Sequence, residues 1–158
     1  MQTNKPTVYI LVGVPGSGKS TWIRNQQWVK DIVMVSTDDY IEMIATKQGK
    51  TYSEVFDDNI KAATQYMLQV VETAKDCGQS IVWDQTNVSI KSRRQKLKML
   101  PNYHKVAVFF QTPEQTELST RLANRIGKNI PNHVIKSMIE NLEIPSTDEG
   151  FDEIWMAA

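Results

Sequence analysis

"GVPGSGKST", residues 13–21, follows directly on the apolar, β-branched run "TVYILV", residues 7–12. A chain that leaves a buried strand through three glycines and a proline has almost no side chains at the turn. Glycine permits a tight turn and lets successive N–H groups point into one concavity. A helix that follows adds its own free N–H groups and the positive end of its dipole. Such a concavity attracts anions, phosphate above all. Gly13, Gly18, Lys19 and Ser20 match the spacing G-x-x-x-x-G-K-[ST]. In that pattern the lysine reaches the β- and γ-phosphates and the hydroxyl faces Mg²⁺. The stretch therefore predicts a nucleoside-triphosphate site, with Pro15, Gly16, Ser17 and Thr21 completing the cradle.

The chain has 158 residues, enough for one domain with one core, and residues 1–158 read as a single P-loop domain. Eighteen basic residues balance eighteen acidic ones, so net charge gives no sign of bulk affinity for nucleic acid. The single cysteine, Cys77, excludes an internal disulfide framework and is expected at a buried helix end. The apolar run near the start is too short to span a membrane, and it leads straight into the phosphate loop. The expected location is the cytoplasm, that of the host if the chain is phage-encoded. Oligomeric state is not legible.

Outward from the loop, strands alternate with helices. "TVYILVG" reads as a fully buried strand because its apolar residues are continuous. A helix is expected over 19–29, and a second buried strand over 31–36. Asp38 and Asp39 are placed to cap a short helix through 46. A long helix is expected over 53–76, stopped by Gly78. Strands follow at 80–84 and 104–110, with a helix over 90–100 between them capped by Ser89. Helices at 114–126 and 132–142 precede a closing edge strand in "EGFDEIWMA". This order implies an α/β fold of P-loop NTPase type: an open parallel sheet flanked by helices, with a helical lid. Ligands of such sheets bind beyond the carboxyl ends of the strands.

Two strands run into aspartate at that edge. "DIVMVSTDD" puts Asp38 just past the second strand, and "SIVWD" puts Asp84 at the tip of the third. Phosphoryl transfer to an alcohol uses a carboxylate to orient the hydroxyl and take its proton. Asp38 is the candidate base, with Asp39 as competitor and one of the pair expected to be a cap. Asp84 is a candidate to assist the metal beside Ser20 or to shape the acceptor site. In "TPEQTELSTRLANRIGKNIP", Arg121 and Arg125 lie four apart on one helix face, with Lys128 just beyond. That suits a lid whose arginines stabilise charge on the transferring phosphoryl group.

Taken together, "GVPGSGKSTW" (13–22), "STDDY" (36–40), "DQTN" (84–87), "RLANRIGKNIP" (121–131) and "EGFDEI" (149–154) resemble the polynucleotide 5′-kinase family, as in phage polynucleotide kinases. The resemblance implies that Lys19 and Ser20 bind ATP–Mg²⁺, that Asp38 is the general base and that Arg125 is the lid arginine. It also implies that Asp84, Thr86 and Asn87 line the acceptor groove. In the family an arginine three residues after the base grips an acceptor phosphate; here Ile41 stands there. That departure brings in related phage kinases that phosphorylate hydroxymethyluracil bases within DNA, an activity that would need to reach and flip an internal base.

The run "KSRRQKLK" (91–98) bears on both DNA readings, because Arg93 and Arg94 could track a phosphate backbone. Trp22, Trp28 and Trp83 could stack bases, although packing suits each better. His104 and His133 have no metal-ligand spacing. The sequence thus reads as an ATP- and Mg²⁺-dependent kinase acting on a DNA hydroxyl, either at the 5′ end or on a hydroxymethyl base. A small-molecule or nucleotide kinase is the alternative. A nucleotide-dependent switch is disfavoured, since a guanine-nucleotide switch carries N-K-x-D and this chain has none.

Overall fold

The computed structural model describes residues 5–157. Five strands form one sheet in which every pairing is parallel: β1 (Thr7–Val12), β2 (Val33–Val35), β3 (Ile81–Trp83), β4 (His104–Phe109) and β5 (Glu153–Met156). Their spatial order is β2-β3-β1-β4-β5, so β1 is central. Side chains alternate across a strand, and helices cover both faces of this sheet. Val8, Ile10 and Val12 pack on one side with Met67, Val71 and Leu97. Leu11 packs on the other side with Val29, Val82 and Phe110. Both faces are apolar for that reason, and β1 reads as an unbroken apolar run.

Six helices connect the strands: α1 (Lys19–Asn25), α2 (Asp38–Gln48), α3 (Tyr52–Asp76), α4 (Ile90–Met99), α5 (Gln115–Ala123) and α6 (Asn132–Glu140). The start of α3 is fixed by a capping box. The Thr51 hydroxyl accepts from the Glu54 N–H, and the Glu54 carboxylate accepts from the Thr51 N–H. At the start of α4, Ser89 accepts from the Ser92 N–H, as expected. Ile41, Ala45, Val55 and Ala63 form a separate apolar seam that locks α2 onto α3.

Four local expectations are corrected. The helix after the phosphate loop ends at Asn25, and the chain tightens into 3-10 helix over Gln27–Asp31. That turn lays Trp28 on Tyr9, ring centroids 4.7 Å apart, in a cluster with Trp22 and Trp155. Neither Asp38 nor Asp39 caps α2: Thr37 holds the N-cap position, and both carboxylates lie in the first turn, where the dipole favours them. Cys77 is exposed at the C-cap of α3 instead of buried. Helix α5 stops at Ala123, so Arg125 sits in the loop beyond it. Among the described residues no helix is long and apolar enough to cross a membrane.

Gly13 lies where a side chain has no room. A Cβ there would meet Ser17 Oγ at 2.5 Å and Phe110 Cβ at 2.9 Å. Ser17 can rotate away, but Phe110 Cβ is fixed to the backbone at the end of β4. Gly13→Ala is therefore expected to destabilise the fold by about 1–3 kcal/mol. Urea unfolding followed by tryptophan fluorescence checks this.

Candidate active site

The carboxyl ends of β1, β2 and β3 open into a cleft of roughly 1790 Å³. The phosphate loop forms its floor. Lys19 Nζ donates to the Gly13 carbonyl at 2.7 Å and the Val14 carbonyl at 3.1 Å, which holds the ammonium across the mouth of the loop. Burial pulls the Lys19 pKa down to about 8, an effect opposed by the charges of Asp84 and Asp38. Behind the loop, the Gly13 N–H donates to the Thr86 carbonyl at 2.9 Å, so the turn after β3 braces the cradle. Pro15, Gly16, Ser17, Gly18, Ser20 and Thr21 all line the cleft, and Ser17 Oγ is buried there without a partner. An unpaired hydroxyl at the base of a glycine cradle is the kind of orphan that a bound oxyanion satisfies.

Asp84 hangs from the tip of β3, its N–H donating to the Val35 carbonyl at 2.8 Å. Burial raises its pKa to about 6 against the pull of Lys19, and Asp38 and Asp39 push it further up. A cation beside it would favour the charged form. The sequence leaves Asp38 and Asp39 as competitors; in the structure Asp38 lines the cleft and Asp39 does not. Successive helical residues point about 100° apart, so only one of the pair can face the nucleotide edge.

Asp38 is held from two sides. The Tyr52 hydroxyl donates to its Oδ1 at 2.5 Å, and Lys128 Nζ stands 3.8 Å from its Oδ2. Burial and the bond to Asp38 raise the Tyr52 pKa well above that of an ordinary phenol, so Tyr52 remains a donor. Sequence reasoning missed Tyr52 and gave Lys128 no role. The capping pattern Thr51-x-x-Glu54 could have fixed Tyr52 as the first residue of α3, but nothing local says which strand end that helix start faces.

The two arginines expected in a lid occupy different places. Arg121 donates to the Gly16 carbonyl at 2.9 Å and pairs with Glu117 at 2.6 Å, closing α5 onto the phosphate loop. Arg125 also lines the cleft, and its Nη1 is buried without a partner. Its positive charge is felt at both Lys19 and Tyr52.

Several expected acceptor residues are placed otherwise. Thr86 lines the cleft with Asp84, but Asn87 does not. Asn87 is buried at φ 48; its amide donates to the Leu11 carbonyl at 2.8 Å and its Oδ1 accepts from Lys96. It is thus a brace between β1 and α4. Arg93 is wholly buried and makes a bidentate ion pair with Glu149, at 2.7 and 2.9 Å, while Nη1 donates to the Asn87 carbonyl. It cannot contact a phosphate backbone. Arg94 is exposed but lies outside the cleft. Trp83 is fully buried, Trp22 and Trp28 belong to the aromatic cluster, and His104 sits at the far sheet edge against Asp152 and Glu153.

The sequence pattern of one family matches residues 8–145, nearly the whole described chain. The chain belongs to the AAA domain family. This AAA domain is 23% identical over 155 residues to human heterogeneous nuclear ribonucleoprotein U-like protein 2, covering 93% of the chain and 21% of that protein. It is 26% identical over 149 residues to L-seryl-tRNA(Sec) kinase of Methanococcus maripaludis, covering 90% of the chain and 55% of that enzyme. The AAA domain thus spans about a fifth to a half of these relatives. Among solved structures, a candidate kinase from Chloroflexus aurantiacus superposes at TM-score 0.70 with 16% identity, covering 99% of this chain and 86% of that one. The Pnkp1/Rnl/Hen1 RNA repair complex superposes at TM-score 0.67 with 26% identity, covering 96% of this chain and 48% of that one. The fold of this AAA domain is that of the P-loop kinases.

Proposed function

We propose that this AAA domain is an ATP-dependent kinase that transfers the γ-phosphate to a hydroxyl group of a nucleic acid, DNA in the first instance. The observation that carries the reading is Asp38, which lines the same cleft as Lys19 and has one carboxylate oxygen fixed by Tyr52. A nucleotide switch has no use for a carboxylate held at the acceptor side of a triphosphate floor. A kinase needs one to orient the alcohol and take its proton.

In this reading Lys19 and the loop N–H groups hold the β- and γ-phosphates. Mg²⁺, when bound, neutralises charge on those phosphates. Ser20 and Asp84 would be its oxygen donors on the protein, and a hydroxyl with a carboxylate suits that hard cation. Asp38 orients the acceptor hydroxyl and takes its proton as the oxygen attacks the γ-phosphorus and ADP leaves. Arg125 supplies positive charge where the phosphoryl group passes. Arg125→Ala is expected to lower kcat by about 10²–10³-fold while the Kd for ATP rises less than about tenfold. Single-turnover kinetics and calorimetric titration separate the two effects.

The 26% identity to a chain of an RNA repair complex supports a nucleic-acid acceptor, and the likeness to L-seryl-tRNA(Sec) kinase supports a substrate that includes RNA. A second reading, transfer to a hydroxymethyl group on an internal base, is favoured by Ile41. It is wholly buried in the α2–α3 seam, where it offers nothing to a strand-end phosphate. The test uses ATP labelled on the γ-phosphate, with three acceptors: a 5′-hydroxyl DNA strand, its RNA counterpart, and an end-blocked DNA strand carrying hydroxymethyluracil. Label on either 5′-hydroxyl strand supports the end-kinase reading. Label on the third alone supports the base-directed reading. Label on none refutes both and leaves a small-molecule acceptor.

A further inference from the structure

Lys128 belongs to the loop between α5 and α6, three residues after Arg125, yet its ammonium reaches α2. Nζ lies 2.7 Å from Glu42 Oε1, 3.8 Å from Asp38 Oδ2 and 4.6 Å from the centre of the Tyr52 ring. The Lys128 side chain is 19% exposed, while the carboxylates of Glu42 and Asp38 that it meets are about half exposed. The same loop is tied to the start of α3 by its backbone. The Ser53 N–H donates to the Gly127 carbonyl at 3.0 Å, and the Asn129 N–H donates to Ser53 Oγ at 2.8 Å. Gly127, at φ 73, lets the chain run against Thr51 with only 3.1 Å left for a Cβ.

We propose that Lys128 is a positioning residue: the lid loop inserts its ammonium between Glu42 and Asp38, and this contact both docks the lid on α2 and α3 and fixes the carboxylate of Asp38. The stronger bond goes to Glu42, so the ammonium stands beside Oδ2 without capping it. Oδ1 is held by Tyr52, and Oδ2 is the oxygen left to meet an acceptor hydroxyl. Arg125 and Lys128 ride on one short segment. A lid docked over the triphosphate therefore completes the acceptor side in the same movement, which limits transfer to water while the lid is open. The docking half of this inference stands on geometry alone; the half that concerns Asp38 rests on the proposed kinase reading.

The experiment is amide hydrogen exchange on the full chain, read at Ser53 and Asn129, for the wild type, Lys128→Met and Lys128→Arg. Lys128→Met is expected to speed exchange at both amides by at least about tenfold while β1 is unchanged, and Lys128→Arg to restore most of the protection. Unchanged protection in Lys128→Met overturns the inference. Should β1 also lose protection in that variant, Glu42→Gln, which weakens the pair from its other end, is read by the same criterion. With any acceptor the wild type uses, Lys128→Met should lower kcat by about thirtyfold with KM for ATP within about twofold. A change confined to KM for ATP would remove the role at Asp38. A wild type that phosphorylates no acceptor refutes the kinase reading, while the exchange data still decide whether Lys128 docks the lid.

Discussion

Asp38→Ala is expected to lower kcat for phosphoryl transfer by about 10²–10⁴-fold, the usual contribution of a positioned general base. The Kd for ATP should stay within about threefold, because the proposed reading gives the phosphate contacts to Lys19 and the loop N–H groups. Lys19 would lose one of the two carboxylates that favour its charged form, but Asp84, the larger influence, remains. The alanine variant also leaves the Tyr52 hydroxyl without its acceptor, which clouds the result. Asp38→Asn removes that ambiguity. Its amide oxygen still accepts from Tyr52, its volume is nearly unchanged, and it cannot take a proton. Both variants should fall together in single-turnover transfer. An asparagine variant with near wild-type turnover would show that Asp38 holds Tyr52 and the lid but does no proton transfer.

Removing either partner of the buried Arg93–Glu149 pair should give the largest loss of stability. Their side chains are 0% and 3% exposed. Breaking such a pair from one side strands a charge in the interior and costs about 3–5 kcal/mol. Arg93→Met loses in addition the bond to the Asn87 carbonyl, and Glu149→Gln weakens the cap it gives the Ser146 N–H. The double variant Arg93→Met/Glu149→Gln leaves no orphan charge and should cost less than the sum of the two single changes. Guanidinium unfolding of all three measures this. The damage reaches the nucleotide site by a short route. Arg93 holds the Asn87 carbonyl, Asn87 braces β1 through Leu11, and the adjacent Thr86 carbonyl accepts from Gly13 N–H. ATP affinity should therefore fall in Arg93→Met even though Arg93 never touches nucleotide.

Those two residues also mark where the sequence stops being legible. The phosphate loop can be read directly because its function is local: glycine spacing, a lysine and a hydroxyl within eight residues determine both turn and ligand. The sheet is equally plain, since a strand buried on both faces needs a continuous apolar run. Arg93 looks like a member of a solvated basic face, and only Glu149, 56 residues on, makes it an interior group. Asn87 fits an acceptor element by position, but its left-handed backbone turns its amide inward to Leu11. Tyr52 and Lys128 converge on Asp38 from a helix start and a lid loop, a meeting set by packing and by no spacing. The choice between Asp38 and Asp39 depends on which side of one helical turn faces the cleft, and that follows from the buried seam around Ile41 and Val55.

The central claim is that ATP is consumed by transfer to an acceptor hydroxyl. The most direct measurement is ADP release by the wild type with a 5′-hydroxyl strand, the hydroxymethyluracil strand, and the same strands with those hydroxyls already phosphorylated. The account predicts ADP release that depends on one free hydroxyl and stops when it is used up. ADP release at the same rate with every strand, or with none, would contradict it and make the protein a nucleotide hydrolase or switch.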